Sequence, residues 1–239
     1  MKKMIINLIK IIFIVVELFF LGTYLFPDIF IFDLNIDDSL VLFIIIILVF
    51  VSSFIYFKSW TKHELIIRIA FLFTLIADFL MTYLDAYYEL SICFFFLVQL
   101  SYFILINLLT KKQYLKSSLI VYGIGVSILL IIGLCVYPLG LLEVLAIVYI
   151  SLSFINILYL IRIKDKNRFL YCFLIGLILF FICDICIGLS NFNLQNKQLE
   201  DYIYFMIWAS YGPSQIILVN TLVEIKGKGG KFYEESIKS

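Results

Sequence analysis

A chain of 239 residues that is 64% apolar and only 15% charged departs far from the roughly 45–50% apolar and about 25% charged usage of soluble domains. It cannot hide its apolar surface in one aqueous core, which excludes a soluble globular enzyme. Its 18 Lys and Arg nearly balance its 17 Asp and Glu, so net charge predicts neither a nucleic acid nor an acidic partner, and the placement of charge becomes the informative feature.

Crossing about 30 Å of hydrocarbon takes about 20 apolar residues in a helix. Eight stretches qualify, at about 4–26, 39–57, 64–84, 88–109, 116–137, 139–163, 169–190 and 200–224. The fold class expected is therefore all-α, a polytopic membrane helix bundle with eight transmembrane helices. The first stretch follows Lys2 and Lys3 as a signal peptide would, but it runs too long and lacks a small-x-small cleavage site before Pro27, so it is read as a retained span. Little chain remains outside the spans. The expected organisation is an eight-span transmembrane domain over 1–225 and a flexible tail over 226–239, opened by Lys226, Gly227, Lys228, Gly229 and Gly230.

Orientation follows from basic residues on alternate sides of the chain. Of the 18 Lys and Arg, all but Lys197 fall on one side, including Lys2, Lys58, Arg68, Lys111, Arg162 and Lys226. That side is cytoplasmic, and both termini with it. The opposite side is acidic, with Asp28, Asp33, Asp37, Asp38, Asp85, Glu89, Glu143, Glu200 and Asp201 at or near its loops. The few Arg among many Lys, with abundant Ile and Phe, suggest an AT-rich bacterial gene and hence a multi-pass protein of the cell membrane.

Removing the flanking charges leaves Glu17 in the first span, Asp78 in the third and Asp184 in the seventh. Acids inside a bilayer are costly and mark function by default. The third and seventh spans both run outward, and each Asp lies about six residues from its outer end, so the two share a depth at ~1.5 Å rise per residue. Thr74, Asp78, Thr82 and Asp85 recur at helical spacing on one face of the third span, and Asp184, Gly188 and Asn191 do so on the seventh. Gln99 and Tyr102 share a face of the fourth span, Tyr149, Ser153 and Asn156 of the sixth, and Tyr204, Trp208, Tyr211 and Gln215 of the eighth. Five such stripes can converge on one outward-facing polar cavity; the blander reading is that they bind helices together by hydrogen bonds of about 1 kcal/mol each. Glu17 has no polar stripe near its depth and is expected to be a structural partner or a pocket rim.

Cys93, Cys135, Cys172, Cys183 and Cys186 all lie in or at apolar spans, where cysteine acts as a small hydrophobe, and no disulfide framework is expected. Cys183 and Cys186 form a C-x-x-C pair, but without a second pair on a lipid-embedded helix they carry little metal signal. His63 is the sole histidine. There is no H-E-x-x-H, no G-x-S-x-G and no P-loop, and no metal or organic cofactor is expected.

The segments IADFLMTYL (76–84), FFFLVQLSYFI (94–104), GLILFFICDICIGLSNF (176–192) and SYGPSQIILV (210–219) together resemble the YhhN-like lysoplasmalogenase family. That family carries a Gly-Asp in its third span, an aromatic stretch ending in His-x-x-Tyr in the fourth, a Ser-Asp block in the seventh and a Tyr-x-x-x-Gln in the eighth. Here the corresponding residues are Ala77-Asp78, Gln99 with Tyr102, Cys183-Asp184, and Tyr211 with Gln215, and Tyr149 stands where the family has a tyrosine. Both aspartates survive, while the histidine is replaced by Gln99, which can orient a substrate or water but cannot titrate.

The resemblance implies a membrane hydrolase that cleaves the vinyl ether bond of lysoplasmalogens to a fatty aldehyde and a glycerophospho-headgroup. Its expected catalytic residues are Asp78 and Asp184, with Gln99, Tyr102, Tyr149, Asn191, Tyr211 and Gln215 binding a lysophospholipid substrate. The chemistry suits two carboxyl groups with different jobs, one protonated to donate to the vinyl carbon and one ionised to stabilise the cation and activate water, the pair titrating together. Two other classes fit the same residues: a proton-coupled lipid or small-molecule transporter, with the aspartates as coupling sites, and a non-catalytic membrane protein.

Overall fold

The computed structural model describes residues 38–56, 61–110, 115–136, 139–163, 166, 168–190 and 197–221, with scattered helical residues between 11 and 22 that belong to the first apolar stretch, here α1. Then follow α2 (Asp38–Tyr56), α3 (Lys62–Asp78), a π-helical turn (Phe79–Tyr83) that extends α3, α4 (Tyr88–Leu109), α5 (Leu115–Val136), α6 (Leu141–Arg162), α7 (Arg168–Ser190) and α8 (Lys197–Thr221). The described residues form helices joined by short connections and no strand. Glu17, Asn191 and the expected tail at 226–239 lie outside them.

Local sequence explains where these helices start and stop. Thr61 caps α3: its hydroxyl accepts from Glu64 N at 3.3 Å, the Ser/Thr-x-x-Glu arrangement that occupies an otherwise orphan donor. At the far end of α6, Lys166 Nζ donates to Ile161 O at 2.8 Å and Ile163 O at 2.6 Å, satisfying carbonyls the helix leaves open.

Among the described residues, five helices are long and apolar enough to cross a membrane: α3 with its π turn, α4, α5, α6 and α7. In α2 the apolar stretch among the described residues is the shorter Phe43–Phe54. Helix α8 spans 25 residues but falls outside that set, because its first turn carries Lys197, Glu200 and Asp201 and its buried face carries Ser210, Ser214 and Gln215. The charged residues near its start are exposed, while Ser210, Ser214 and Gln215 face the protein interior.

Helix contacts close a ring. In order, α2 packs on α3, α3 on α4, α4 on α6, α6 on α7, α7 on α8, and α8 back on α2. Helix α5 stands outside the ring and packs chiefly on α6, pinned there by Tyr122 Oη donating to Val148 O at 3.2 Å. Ile120, Ile124, Ile128, Ile131 and Leu134 of α5 are all exposed. In water such a face would be an aggregation hazard; in a bilayer it is the surface that lipid covers.

Aromatic and aliphatic side chains fill the inner half of the ring, with Phe71, Phe173, Leu177 and Leu218 almost fully buried. Helices α7 and α8 approach closely at Gly176, where a Cβ would sit 2.8 Å from Leu218 Cγ. Small residues allow this kind of contact in membrane bundles. Between α4 and α6, Tyr159 Oη donates to Asn107 Oδ1 and meets Thr110 Oγ1, both at 3.0 Å. Arg68, which charge counting assigns to the cytoplasmic side, is buried within α3 with its guanidinium 5.2 Å from the Phe54 ring centre, a position held by cation–π attraction.

Candidate functional site

Asp78 is the last α-helical residue of α3. Immediately after it the helix widens into the π turn, marked by Leu84 N donating to Phe79 O at 2.9 Å. Single π turns inside α-helices recur at functional sites. The turn also has a geometric consequence: one extra residue shifts the phase of everything beyond it by roughly 100°. Thr74 and Asp78 remain buried, while Thr82 is only half-buried and Asp85 is exposed. The expected four-residue stripe therefore holds for its first two members only, and Asp85 instead accepts from the Tyr88 hydroxyl.

Across the ring, Tyr211 Oη on α8 donates to Asp78 Oδ2 at 2.5 Å. Two residues later α8 carries Pro213 within the helix, which removes one backbone donor. Near the Asp78–Tyr211 bond, α3 thus changes to π geometry while α8 stays α-helical with one backbone donor fewer.

Asp184 is buried on α7. Cys183, its neighbour in the chain, lies within electrostatic reach of both carboxyl groups and beside the Ser210 side chain. Tyr149 on α6 reaches toward both Asp184 and Gln99 without completing a hydrogen bond. Aromatic rings link the two halves: Phe95 sits 6.0 Å from Tyr149 and 6.1 Å from Phe180, and Phe180 lies 5.6 Å from Tyr211.

One turn deeper, Asn156 Nδ2 donates to Gln99 O at 2.9 Å and to Gln99 Oε1 at 3.0 Å. The second bond holds the Gln99 side-chain carbonyl toward α6, while its Nε2 makes no hydrogen bond among the described residues. Gln99, Tyr102, Asn156 and Gln215 are all at most 0% exposed.

Seven buried atoms of this region make no hydrogen bond among the described residues: Gln99 Nε2, Tyr102 Oη, Tyr149 Oη, Ser153 Oγ, Asn156 Oδ1, Asp184 Oδ2 and Gln215 Oε1. An unmade hydrogen bond of this kind costs about 1–3 kcal/mol, and native interiors carry few. Concentrating seven on α4, α6, α7 and α8 around two acids fits a site built to be completed by a ligand or water. Neither aspartate has an ion-pair partner among the described residues, so neutral donors alone are left to hold them.

Of the residues expected from sequence, Asp78, Asp184, Gln99, Tyr102, Tyr149, Tyr211 and Gln215 are all buried in this region. Asn191 lies outside the described residues. Gly188 and Tyr204 are exposed, so the α7 stripe ends at Asp184 and the α8 stripe begins at Trp208. Sequence reasoning missed Ser91: fully buried in the first turn of α4, its hydroxyl donates to Ala77 O at 2.9 Å. Its neighbours in the chain give no periodic signal that would single it out.

A family model described as the YhhN family matches residues 39–222. The chain belongs to the YhhN family. This is the lysoplasmalogenase family, and the match spans every helix from α2 to α8, including both aspartates. No curated protein and no solved structure matches the chain. Within the family frame, Ala77, Gln99 and Cys183 are the positions where this chain departs from the pattern the resemblance supplies, and all three are buried.

Proposed function

We propose that this YhhN-family protein is a membrane hydrolase that cleaves the vinyl ether bond of lysoplasmalogens, releasing a fatty aldehyde and a glycerophospho-headgroup. The observation that supports this reading is the burial of two carboxyl groups, Asp78 held by Tyr211 and Asp184 with one oxygen unpartnered, in a membrane bundle that also buries polar groups without hydrogen bonds.

The two carboxyl environments support a division of labour. Asp184, whose free oxygen can approach a substrate, donates a proton to the vinyl β-carbon, leaving an oxocarbenium ion centred on the α-carbon and its ether oxygen. Asp78, fixed by the Tyr211 hydroxyl, stands as the anion that stabilises this cation and accepts a proton from the attacking water. The C–O bond formed gives a hemiacetal, which collapses to aldehyde and alcohol as a proton returns to the departing glyceryl oxygen. Gln99, Tyr102, Tyr149 and Gln215 orient water and the glycerol oxygens, with Asn191 assigned to the same binding role and Tyr211 acting through Asp78. A single-chain lipid fits such a site, since its headgroup stays at the interface and its vinyl ether lies just below. The protein works in the cell membrane with both ends cytoplasmic.

The test is a panel of vinyl ether, alkyl ether and ester lysolipids incubated with purified protein. Aldehyde release from the vinyl ether alone is expected. If no member of the panel is cleaved, the hydrolase reading falls and proton-coupled transport becomes the leading use of the aspartates.

A further inference from the structure

The hydrolase reading uses Asp78 but leaves open what holds its backbone in place. Tyr211 fixes one carboxylate oxygen, yet the residue sits where α3 changes to π geometry, a junction whose backbone is less constrained than a regular helix. The peptide that connects Ala77 to Asp78 is held from another helix: Ser91 Oγ of α4 donates to Ala77 O at 2.9 Å. Ser91 and Ala77 are both 0% exposed, so this bond is shielded from competing water.

The placement of Ser91 is itself fixed. Its own backbone N donates to Tyr87 O at 2.9 Å, closing the first turn of α4. Tyr87 and Asp85 hold positive φ, at 56° and 49°, left-handed conformations that non-glycine residues adopt only when the surroundings hold them there. The Tyr88 hydroxyl bonds Asp85, including its backbone oxygen at 3.3 Å. The tight π-turn-to-α4 connection thus delivers Ser91 back against the residue preceding Asp78.

We infer that Ser91 is a positioning residue for Asp78, acting through the Ala77 carbonyl to set the direction in which the carboxyl leaves α3. This inference rests on the hydrolase reading for its kinetic consequence, but the geometry it describes exists with or without turnover. The Ser91 hydroxyl is directed at the Ala77 carbonyl. A carbonyl oxygen has two lone pairs, so the Ser91 bond adds to whatever the helix ladder supplies, and its loss frees the junction to relax without unfolding α3.

The test compares Ser91→Ala with Ser91→Thr, and with Ser91→Cys if the extra methyl does not fit the buried site. Two readouts are taken: steady-state aldehyde release, and the infrared band of the Asp78 side chain, identified by its disappearance in Asp78→Asn. Ser91→Ala is expected to lower kcat by roughly 10-fold to 100-fold, the scale set by small misplacement of a reacting group, with KM within about twofold, and to shift the Asp78 band. The hydroxyl-bearing or thiol-bearing variant is expected to recover both at least in part. Wild-type kcat together with an unmoved Asp78 band in Ser91→Ala overturns the inference. So does equal loss of activity in Ala and Thr variants with the band unmoved, which would make Ser91 a packing residue. Should wild-type protein cleave no lysolipid, the hydrolase reading fails, and the Asp78 band in Ser91→Ala still decides the role of Ser91.

Discussion

Tyr211 on α8 and Asp78 on α3 are joined by a hydrogen bond of 2.5 Å, phenol to carboxylate oxygen, although the two helices are not consecutive in the ring and each packs on α2. A bond from a neutral donor to a charged acceptor contributes about 1.5–3 kcal/mol. Removing it in Tyr211→Phe leaves ring packing against Phe180 and Trp208 intact. Aldehyde release is expected to fall by about 10-fold or more through kcat. Added to Asp78→Asn, the same change is expected to cost little further, because both act on one interaction. Fully additive losses in the double variant would mean that Tyr211 serves substrate rather than Asp78.

Close approach at Gly176 makes a stability prediction independent of function. Leu218 is fully buried and has little room to yield to a Cβ 2.8 Å from its Cγ. Gly176→Val is expected to lower the midpoint of thermal unfolding in detergent, by overpacking worth about 1–3 kcal/mol. Gly123→Ala on α5 provides the contrast, since a Cβ there meets nothing within 4 Å and improves helix propensity by up to about 1 kcal/mol. Unfolding midpoints that move together in the two variants would contradict this description of the α7–α8 contact.

Much of this architecture is legible in the sequence, for a physical reason. Where a helix stays regular, period 3.6 carries buried polar residues faithfully, and Thr74 with Asp78, Gln99 with Tyr102, and Tyr149 with Ser153 and Asn156 all turn inward as spacing predicts. Spacing fails where the helix gives way: after Asp78 it widens into a π turn that ends at Tyr83, and Asp85 lies beyond it in the connection, exposed. It fails too near helix ends, where Tyr204 and Gly188 lie on the expected faces but are exposed. Hydropathy finds apolar length, but it cannot order the ring or set α5 outside it, because a lipid-facing Ile and a core Ile have the same transfer energy. Ser91 was invisible because a single hydroxyl–carbonyl bond between helices has no sequence period.

The direction of the bundle across the membrane rests on the distribution of Lys and Arg alone. Cysteine introduced at Asn35, Tyr87 or Asn196 is expected to react with an impermeant thiol reagent in intact cells, and cysteine at Ser59, Gln113 or Asn167 to stay protected until the cells are opened. Such labelling uses a variant in which the native cysteines, including the exposed Cys135, are replaced by Ser or Ala. Reaction at any of the last three positions in intact cells would overturn the arrangement with both termini cytoplasmic.

The two-carboxylate mechanism makes the sharpest demand. Asp78→Asn and Asp184→Asn keep side-chain shape and some hydrogen bonding but can neither donate nor accept the catalytic proton, so each is expected to lose at least about 100-fold in aldehyde release. The folded state is expected to survive in both, since neither aspartate has an ion-pair partner among the described residues to leave stranded. Because one acid must be protonated and the other ionised, the wild-type rate is expected to fall on both the acid and the alkaline side of its optimum. Carbon protonation as the slow step also predicts a slower rate in D₂O. The two variants further separate the roles: with Asp184 as donor, Asp184→Asn blocks the first step entirely, whereas Asp78→Asn leaves a slow reaction that an added small carboxylate or a more reactive vinyl ether can partly restore. Near wild-type aldehyde release by either asparagine variant, purified and folded, would remove its aspartate from the chemistry and return it to helix binding or proton coupling.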